Sequence, residues 1–271
     1  MRTAVITIVA GRHHHLLRQR AALDGAEHHV VVAMGEGEAA RCRRLVGETS
    51  DVIGVGVRPE GLPLAHARNA GARRALDAGA ELLVFLDVDC IPGAGLLPRY
   101  EAAADSDPAL LCGPVAYLPP APREGYPAAD LHALASPHPA RPVPPEDEVQ
   151  RGGDHALFWT LSFAVTAATW RHLGGFCEDY VGYGGEDTDF GQVAAHAGID
   201  LAWVGGAWAY HQHHATETPP VRHLADILRN AALFHRRWGW WPMGGWLSAF
   251  AERGLVRHDR AADRWVLATT D

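Results

Sequence analysis

The sequence predicts an α/β protein: a mainly parallel central sheet with helices against both faces, and a small helical and hairpin extension at the C-terminus. Two features of its 271 residues carry that expectation. Through the first half, short apolar runs rich in β-branched residues alternate with Ala/Leu/Arg segments of helical period, the pattern of strand–helix–strand units. One such run, Leu82-Leu83-Val84-Phe85-Leu86, ends in Asp87-Val88-Asp89. Two carboxylates therefore emerge at the C-terminal end of a buried strand, where open α/β sheets keep their ligands.

Strands are expected over 3–9, 29–33, 51–57 and 82–86, with helices over 12–23, 38–46 and 64–78 and a further strand over 110–117. Residues 118–150 interrupt the pattern. Nine prolines between Pro119 and Pro145 exclude a regular element there, leaving either a linker or an ordered loop beside a site. A strand (158–165), a helix (167–173), a helix (187–196) and a strand (200–204) follow. Residues 221–238 have the period of an amphipathic helix, and 255–268 read as a terminal hairpin. The division expected is 1–217 for the main α/β domain and 218–271 for an extension packed on it.

The chain is long enough to bury a full core. Its formal net charge of −8 and the lack of a basic stripe argue against nucleic acid as a partner. Cys42, Cys90, Cys112 and Cys177 form no Cys-x-x-Cys pair and read as reduced thiols. With neither a signal-peptide pattern nor an apolar stretch of spanning length, the expected location is cytoplasmic.

The chemistry concentrates in three places. Asp87 and Asp89, two apart, share a face if the strand geometry persists, and hard oxygen donors there suit Mn²⁺ or Mg²⁺ carrying a phosphate. Gly182-Tyr183-Gly184-Gly185-Glu186-Asp187-Thr188-Asp189 joins glycines that allow positive φ to carboxylates at a helix start. Such carboxylates serve either as a general base or as partners of the helix dipole. After an aromatic strand come His211, His213 and His214; His211 is the preferred metal ligand, with His213 on the same strand face as its substitute. The triplet His13-His14-His15 reads as a solvated loop.

Together these segments resemble the nucleotide-sugar glycosyltransferases of the GT-A fold, in the family-two-like superfamily. Phe85-Leu86-Asp87-Val88-Asp89-Cys90-Ile91-Pro92 is similar to the metal-binding strand end of the β-1,4-galactosyltransferases. Gly174-Gly175-Phe176 with Gly182 to Asp189 resembles their acceptor motif, in which Trp stands at Tyr183. Leu64-Ala65-His66-Ala67-Arg68-Asn69-Ala70-Gly71 resembles the donor-side helix start, and the likeness runs through about residues 3–240.

The resemblance implies a GT-A, Rossmann-like fold and a metal-dependent inverting transfer from a nucleotide-diphosphate sugar, a UDP-sugar for preference. It implies that Asp89 and His211 hold the metal, that Asp87 and Val88 face the donor with Arg68 and Asn69, and that Ala10 and Arg12 lie at the nucleobase. Glu36 is the counterpart, one or two positions late, of a uracil-binding Asp. Asp187 becomes the catalytic base, while Glu186, Gly185 and Tyr183 receive the acceptor, whether carbohydrate, lipid-linked or small molecule. The relatives' Met ligand has no counterpart, so water or a second His is left to fill its position.

Rival readings are a sugar-phosphate nucleotidyltransferase, whose Gly-rich basic loop is missing after the first strand, and a sugar-nucleotide-binding module without chemistry. An Asp-x-Asp-x-Thr phosphatase is excluded by Ile91 at the Thr position. The Trp-rich segment 238–246 either packs the last helix or meets a membrane surface carrying a lipid-linked acceptor.

Overall fold

The computed structural model describes residues 1–23, 26–105 and 107–268. In the first half, β1 (Thr3–Val9), β2 (His28–Met34), β3 (Asp51–Val55) and β4 (Leu82–Leu86) are joined by α1 (His13–Ala22), α2 (Glu38–Val46) and α3 (Leu64–Asp77). The four strands are parallel, in the order β3-β2-β1-β4. All of β1 and β4 is buried, because the helices cover both faces of the sheet. Ile6, Ile8, Val30 and Val32 pack with the alanines of α3, and Val9, Val31 and Ala33 pack with Leu16 of α1 and Cys42 of α2. At Gly71 a Cβ would stand 2.5 Å from Ile6 Cγ2, so only glycine lets α3 lie this close to the sheet.

Beyond β4 come β5 (Cys90–Pro92), α4 (Leu96–Ala104), β6 (Ala109–Cys112), β7 (Val115–Tyr117), α5 (Leu131–Leu134), β8 (Ser136–Pro137) and β9 (Val149–Arg151). These are followed by β10 (Ser162–Thr166), α6 (Ala167–Leu173), α7 (Glu186–His196), β11 (Asp200–Val204) and β12 (Ala209–His211). The large sheet continues β4-β10-β6-β11-β9, with β10 and β9 antiparallel to their neighbours. A small sheet, β5-β12-β7-β8, stands beside the end of β4. This mixed but mainly parallel arrangement is the expected fold class.

Differences from the expected elements have local causes. The strand expected over 110–117 is two strands, because the chain leaves the large sheet at Gly113-Pro114 and enters the small one. A Cβ at Gly113 would lie 2.1 Å from the Ala207 carbonyl oxygen. Helix α4 was not anticipated, although Leu96, Tyr100 and Ala103 form its buried stripe. The strand expected from 158 starts at Ser162, and Phe158 is instead a buried loop residue edge-on to Phe163 at 4.9 Å.

The proline-rich segment, expected to hold no regular element, is a loop that carries the short helix α5 and the two-residue strand β8. Arg141 is buried with its guanidinium over the rings of Trp159 (5.6 Å) and Trp203 (5.0 Å). Pro144 and Pro145 carbonyls press so closely on Gly205 that a Cβ there would meet the latter at 1.8 Å.

At the C-terminus, α8 (Leu224–Trp238), α9 (Gly244–Glu252) and the hairpin β13 (Val256–Asp259) and β14 (Arg264–Leu267) share a small core of Ile227, Leu247, Phe250 and Val256. The C-terminal aromatics make intramolecular contacts: Trp240 on Phe234 (4.6 Å), Trp241 on His235 (4.3 Å) and Trp246 on Tyr183 (5.7 Å). Among the described residues no helix is long and apolar enough to cross a membrane.

Candidate active site

At the end of β4 the chain makes a tight turn in which the Cys90 amide donates to the Asp87 carbonyl (2.8 Å). It returns as β5, antiparallel to β12 with His211 opposite Cys90. This register sets His211 beside Asp89. The strand stops there: the Gln212 amide donates to the Asp89 carbonyl (2.6 Å), His213 turns to solvent, and His214 curls back. His211 Nε2 and His214 Nε2 lie 3.6 and 3.4 Å from Asp89 Oδ2.

His214, rather than the expected His213, therefore joins the cluster. The strand-face argument fails because β12 ends at His211, and in a turn a spacing of three brings residues together where a spacing of two does not.

Asp89, His211 and His214 place their ligand atoms within 4.8 Å of one another. Asp89 Oδ1 is buried with no hydrogen-bond partner among the described residues, while Oδ2 meets the Arg12 guanidinium. Burial alone would raise the Asp89 pKa, but His214, His211 and Arg12 pull it down to about 2. Burial lowers His211 below the usual imidazole value. An ionised carboxylate with an unpaired oxygen beside two imidazoles, one of them held neutral, fits Mn²⁺ or another divalent cation of mixed N/O preference.

A second cluster, His13, Glu38 and Cys42, does another job. Glu38 Oε1 accepts from the Gly11 amide (2.7 Å) and lies 2.8 Å from His13 Nε2. The Cys42 thiol, pushed up to about 11 chiefly by burial, stays protonated and is a poor ligand. Glu38 thus ties down the loop from Ala10 to Arg12, whereas Glu36 stands in solvent. Ala10 itself packs against the core, as does buried Val88.

The second acidic segment faces the first across Arg68. The buried Arg68 guanidinium donates to Glu186 Oε1 (2.9 Å) and Asp87 Oδ1 (3.1 Å). Two clusters about a hundred residues apart in sequence are thereby joined by one cation. Asn69, expected at the donor, is occupied elsewhere: it exchanges hydrogen bonds with the Phe176 backbone (2.9 Å each) and donates to Glu178.

Asp87 is pushed up to about 6 by burial, against the pull of Arg68. Asp187, half-buried, is pushed up to about 7 by burial and then by the neighbouring Glu186. A carboxyl near neutrality is poised to exchange a proton.

Gly185 caps α7 at φ 94°, a conformation costly for any side chain. The turn before it is held from α8. Asn230 Nδ2 donates to the carbonyls of Val181 (3.0 Å), Tyr183 (3.3 Å) and Gly184 (2.9 Å), and Asp226 accepts from the Tyr183 amide (3.2 Å). Tyr183 is 39% exposed and stacks with His223 (4.5 Å) and Trp246 (5.7 Å). Asp189, by contrast, is fully buried and accepts from Arg237 Nε (2.6 Å), Trp238 Nε1 (2.7 Å) and Tyr180 Oη (3.1 Å). It fixes α8 to α7.

The fold is of the GT-A kind, and the site's motifs are similar to those of the β-1,4-galactosyltransferases. The family described as the N-terminal domain of galactosyltransferase matches residues 152–216, which include the acidic helix start, His211 and His214.

Two curated relatives are validoxylamine A glucosyltransferases. That of Streptomyces hygroscopicus subsp. jinggangensis (strain 5008) is 29% identical over 255 residues, covering 82% of this chain and 56% of the relative. That of Streptomyces hygroscopicus subsp. limoneus is 29% identical over 207 residues, covering 65% and 42%. The chain thus spans about half the length of these relatives. Among solved structures, GalNAc-T7 with UDP, GalNAc and Mn²⁺ aligns at a TM-score of 0.58 with 18% identity, over 79% of this chain and 44% of that one, a likeness of fold.

Proposed function

We propose that the chain transfers a hexosyl group from a nucleotide-diphosphate sugar, UDP-linked for preference, to an acceptor hydroxyl with inversion. The observation that carries this is the pairing, across Arg68, of the Asp87–Asp89 end with the Glu186–Asp187 end. One end suits a cation and a diphosphate; the other offers a carboxyl near neutrality. A nucleotidyltransferase or a passive binding module has no use for the second.

Asp89, His211 and His214 are the residues that would hold a divalent cation, which when bound supplies Lewis-acid stabilisation of the departing diphosphate. Asp87 and Arg68 face the donor, and Glu38 holds the Ala10–Arg12 loop at the nucleotide end. Tyr183 and Glu186 orient the acceptor. Asp187 takes the acceptor hydroxyl's proton as its oxygen attacks the anomeric carbon from the face opposite the leaving group. The bond from that carbon to the diphosphate oxygen breaks, and its electron pair departs with the nucleoside diphosphate. General base catalysis of this kind contributes roughly 10²–10⁴-fold.

The relatives' names make a glucosyl donor and validoxylamine A the first pair to test, and the proposed preference for UDP makes that donor UDP-glucose. The assay follows UDP release with Mn²⁺, with and without acceptor, and reads the product's anomeric configuration by NMR. Acceptor-dependent UDP release with an inverted anomer supports the proposal; no release from any UDP-, GDP- or dTDP-sugar rejects it.

A further inference from the structure

Beneath the Asp87–Cys90 turn runs a line of buried polar side chains that no step above uses. Gln19 of α1 places its amide nitrogen 2.7 Å from the Asp87 carbonyl and 3.0 Å from that of Cys90. Its oxygen lies 2.8 Å from Thr7 Oγ1 on β1. Thr7 is 3.2 Å from His29 Nε2 on β2, and His29 Nδ1 is 2.9 Å from Ser50 Oγ, just ahead of β3. Thr7, Gln19 and His29 are all buried, so no solvent competes for these groups.

Elementary donor and acceptor rules give the line one direction only. Carbonyl oxygens accept, so both Gln19 N–H groups point at the turn and its amide oxygen points at Thr7. That oxygen also only accepts, so the Thr7 hydroxyl donates its single proton there. Thr7 must then accept from His29, which puts the imidazole proton on Nε2. Burial, followed by the nearby Arg20 and His28, drives His29 down to about 3, so the ring is neutral and its Nδ1 accepts from Ser50. A flipped Gln19 amide would set its oxygen against two carbonyl oxygens, and the Thr7 hydroxyl opposes that flip.

We infer that Gln19 is a positioning residue for the Asp87–Asp89 turn, held in its working orientation by the one-way chain Ser50–His29–Thr7–Gln19. The turn bears the carboxylate of the cation site, so the chain sets cation affinity without touching cation or donor. This rests on the reading of Asp89 as a ligand.

The test measures Mn²⁺ binding by EPR in the absence of donor, and amide exchange at Cys90 by NMR. Thr7→Val keeps the side-chain volume and removes the hydroxyl, leaving the Gln19 oxygen without its donor. It is expected to weaken Mn²⁺ binding about tenfold and to speed Cys90 exchange, while Thr7→Ser restores both to within about twofold of wild type. Gln19→Glu, a same-shape change at a buried position, sets an oxygen against the two carbonyls and is expected to weaken binding at least as much; it serves if Thr7→Val does not fold. Mn²⁺ affinity in these variants within about twofold of wild type, in a protein whose Asp89→Ala form has lost binding, overturns the inference. If Asp89→Ala binds Mn²⁺ like wild type, the ligand assignment falls instead. Cys90 exchange then decides whether the chain holds the turn: faster exchange in Thr7→Val supports it and unchanged exchange rejects it.

Discussion

The three carboxylates opening α7 do different work, although they occupy one helical turn. Asp189 is a buried anchor, Glu186 pairs with Arg68, and Asp187 alone combines partial exposure with a pKa raised to about 7. Asp187→Asn is expected to keep Mn²⁺ and UDP binding while losing transfer by roughly 10²–10⁴-fold, measured as acceptor-dependent UDP release. Because the base must be ionised, kcat/KM for transfer should rise as pH climbs through about 7. A profile flat from about pH 5 to about pH 9 would remove Asp187 from that role.

The same group bears on stability. Folded Asp187 holds its proton more tightly than the unfolded chain, whose value is near 3.8, so between that pH and about 7 the folded state binds more protons. Stability contributed by this site therefore falls as pH rises through the window. Asp187→Asn should raise the thermal midpoint above pH 7 and leave it little changed near pH 4, as scanning calorimetry would register. For the cation site, Asp89→Ala should abolish Mn²⁺ binding and His214→Ala should weaken it at least tenfold. His213→Ala, removing an exposed ring, should leave it within about twofold; titration calorimetry separates the three.

At the level of elements, the strands were legible where apolar runs were continuous: β1, β2 and β4 lie within a residue of expectation because buried parallel strands advertise themselves. The Asp87–Asp89 pair was legible for the same reason, standing at the end of such a run. His214 was not, since its approach depends on where β12 stops. Asn230 and Gln19 were not either, because a buried amide in a helix has no pattern of its own until its partners are known. Arg68 stood out by resemblance, yet its bridge to Glu186 spans 118 positions and no local signal carries it. The docking of α8 on α7 makes a sharp prediction. Asp189→Ala strands Arg237, Trp238 Nε1 and Tyr180 Oη without their acceptor and should cost about 3–5 kcal/mol of unfolding free energy, read from urea titration.

Across the whole molecule, on the proposed reading, the large sheet and its helices carry the donor-side residues, and the small sheet adds His211. The acceptor-side turn hangs between α7 and α8. A chain cut after residue 217 loses Asn230, Asp226 and Arg237 together, freeing the turn at Tyr183 and leaving buried Asp189 without its Arg237 and Trp238 partners. Such a chain is expected to unfold at lower denaturant and to lose acceptor-dependent turnover altogether. A truncated chain with the full chain's urea midpoint would show the extension to be dispensable.

The grip of Asn230 on three carbonyls of one turn has a consequence for how such a chain diversifies. The parts proposed to face the donor are rooted in the sheet, where any exchange disturbs a close-packed interior. The acceptor turn is suspended from a surface helix whose outer residues are free to vary. On the proposed reading, a lineage can retune what it glycosylates by shifting α8 a fraction of an ångström, leaving the donor machinery as inherited; a library seeking new acceptors belongs on α8 and α9, not on the strands.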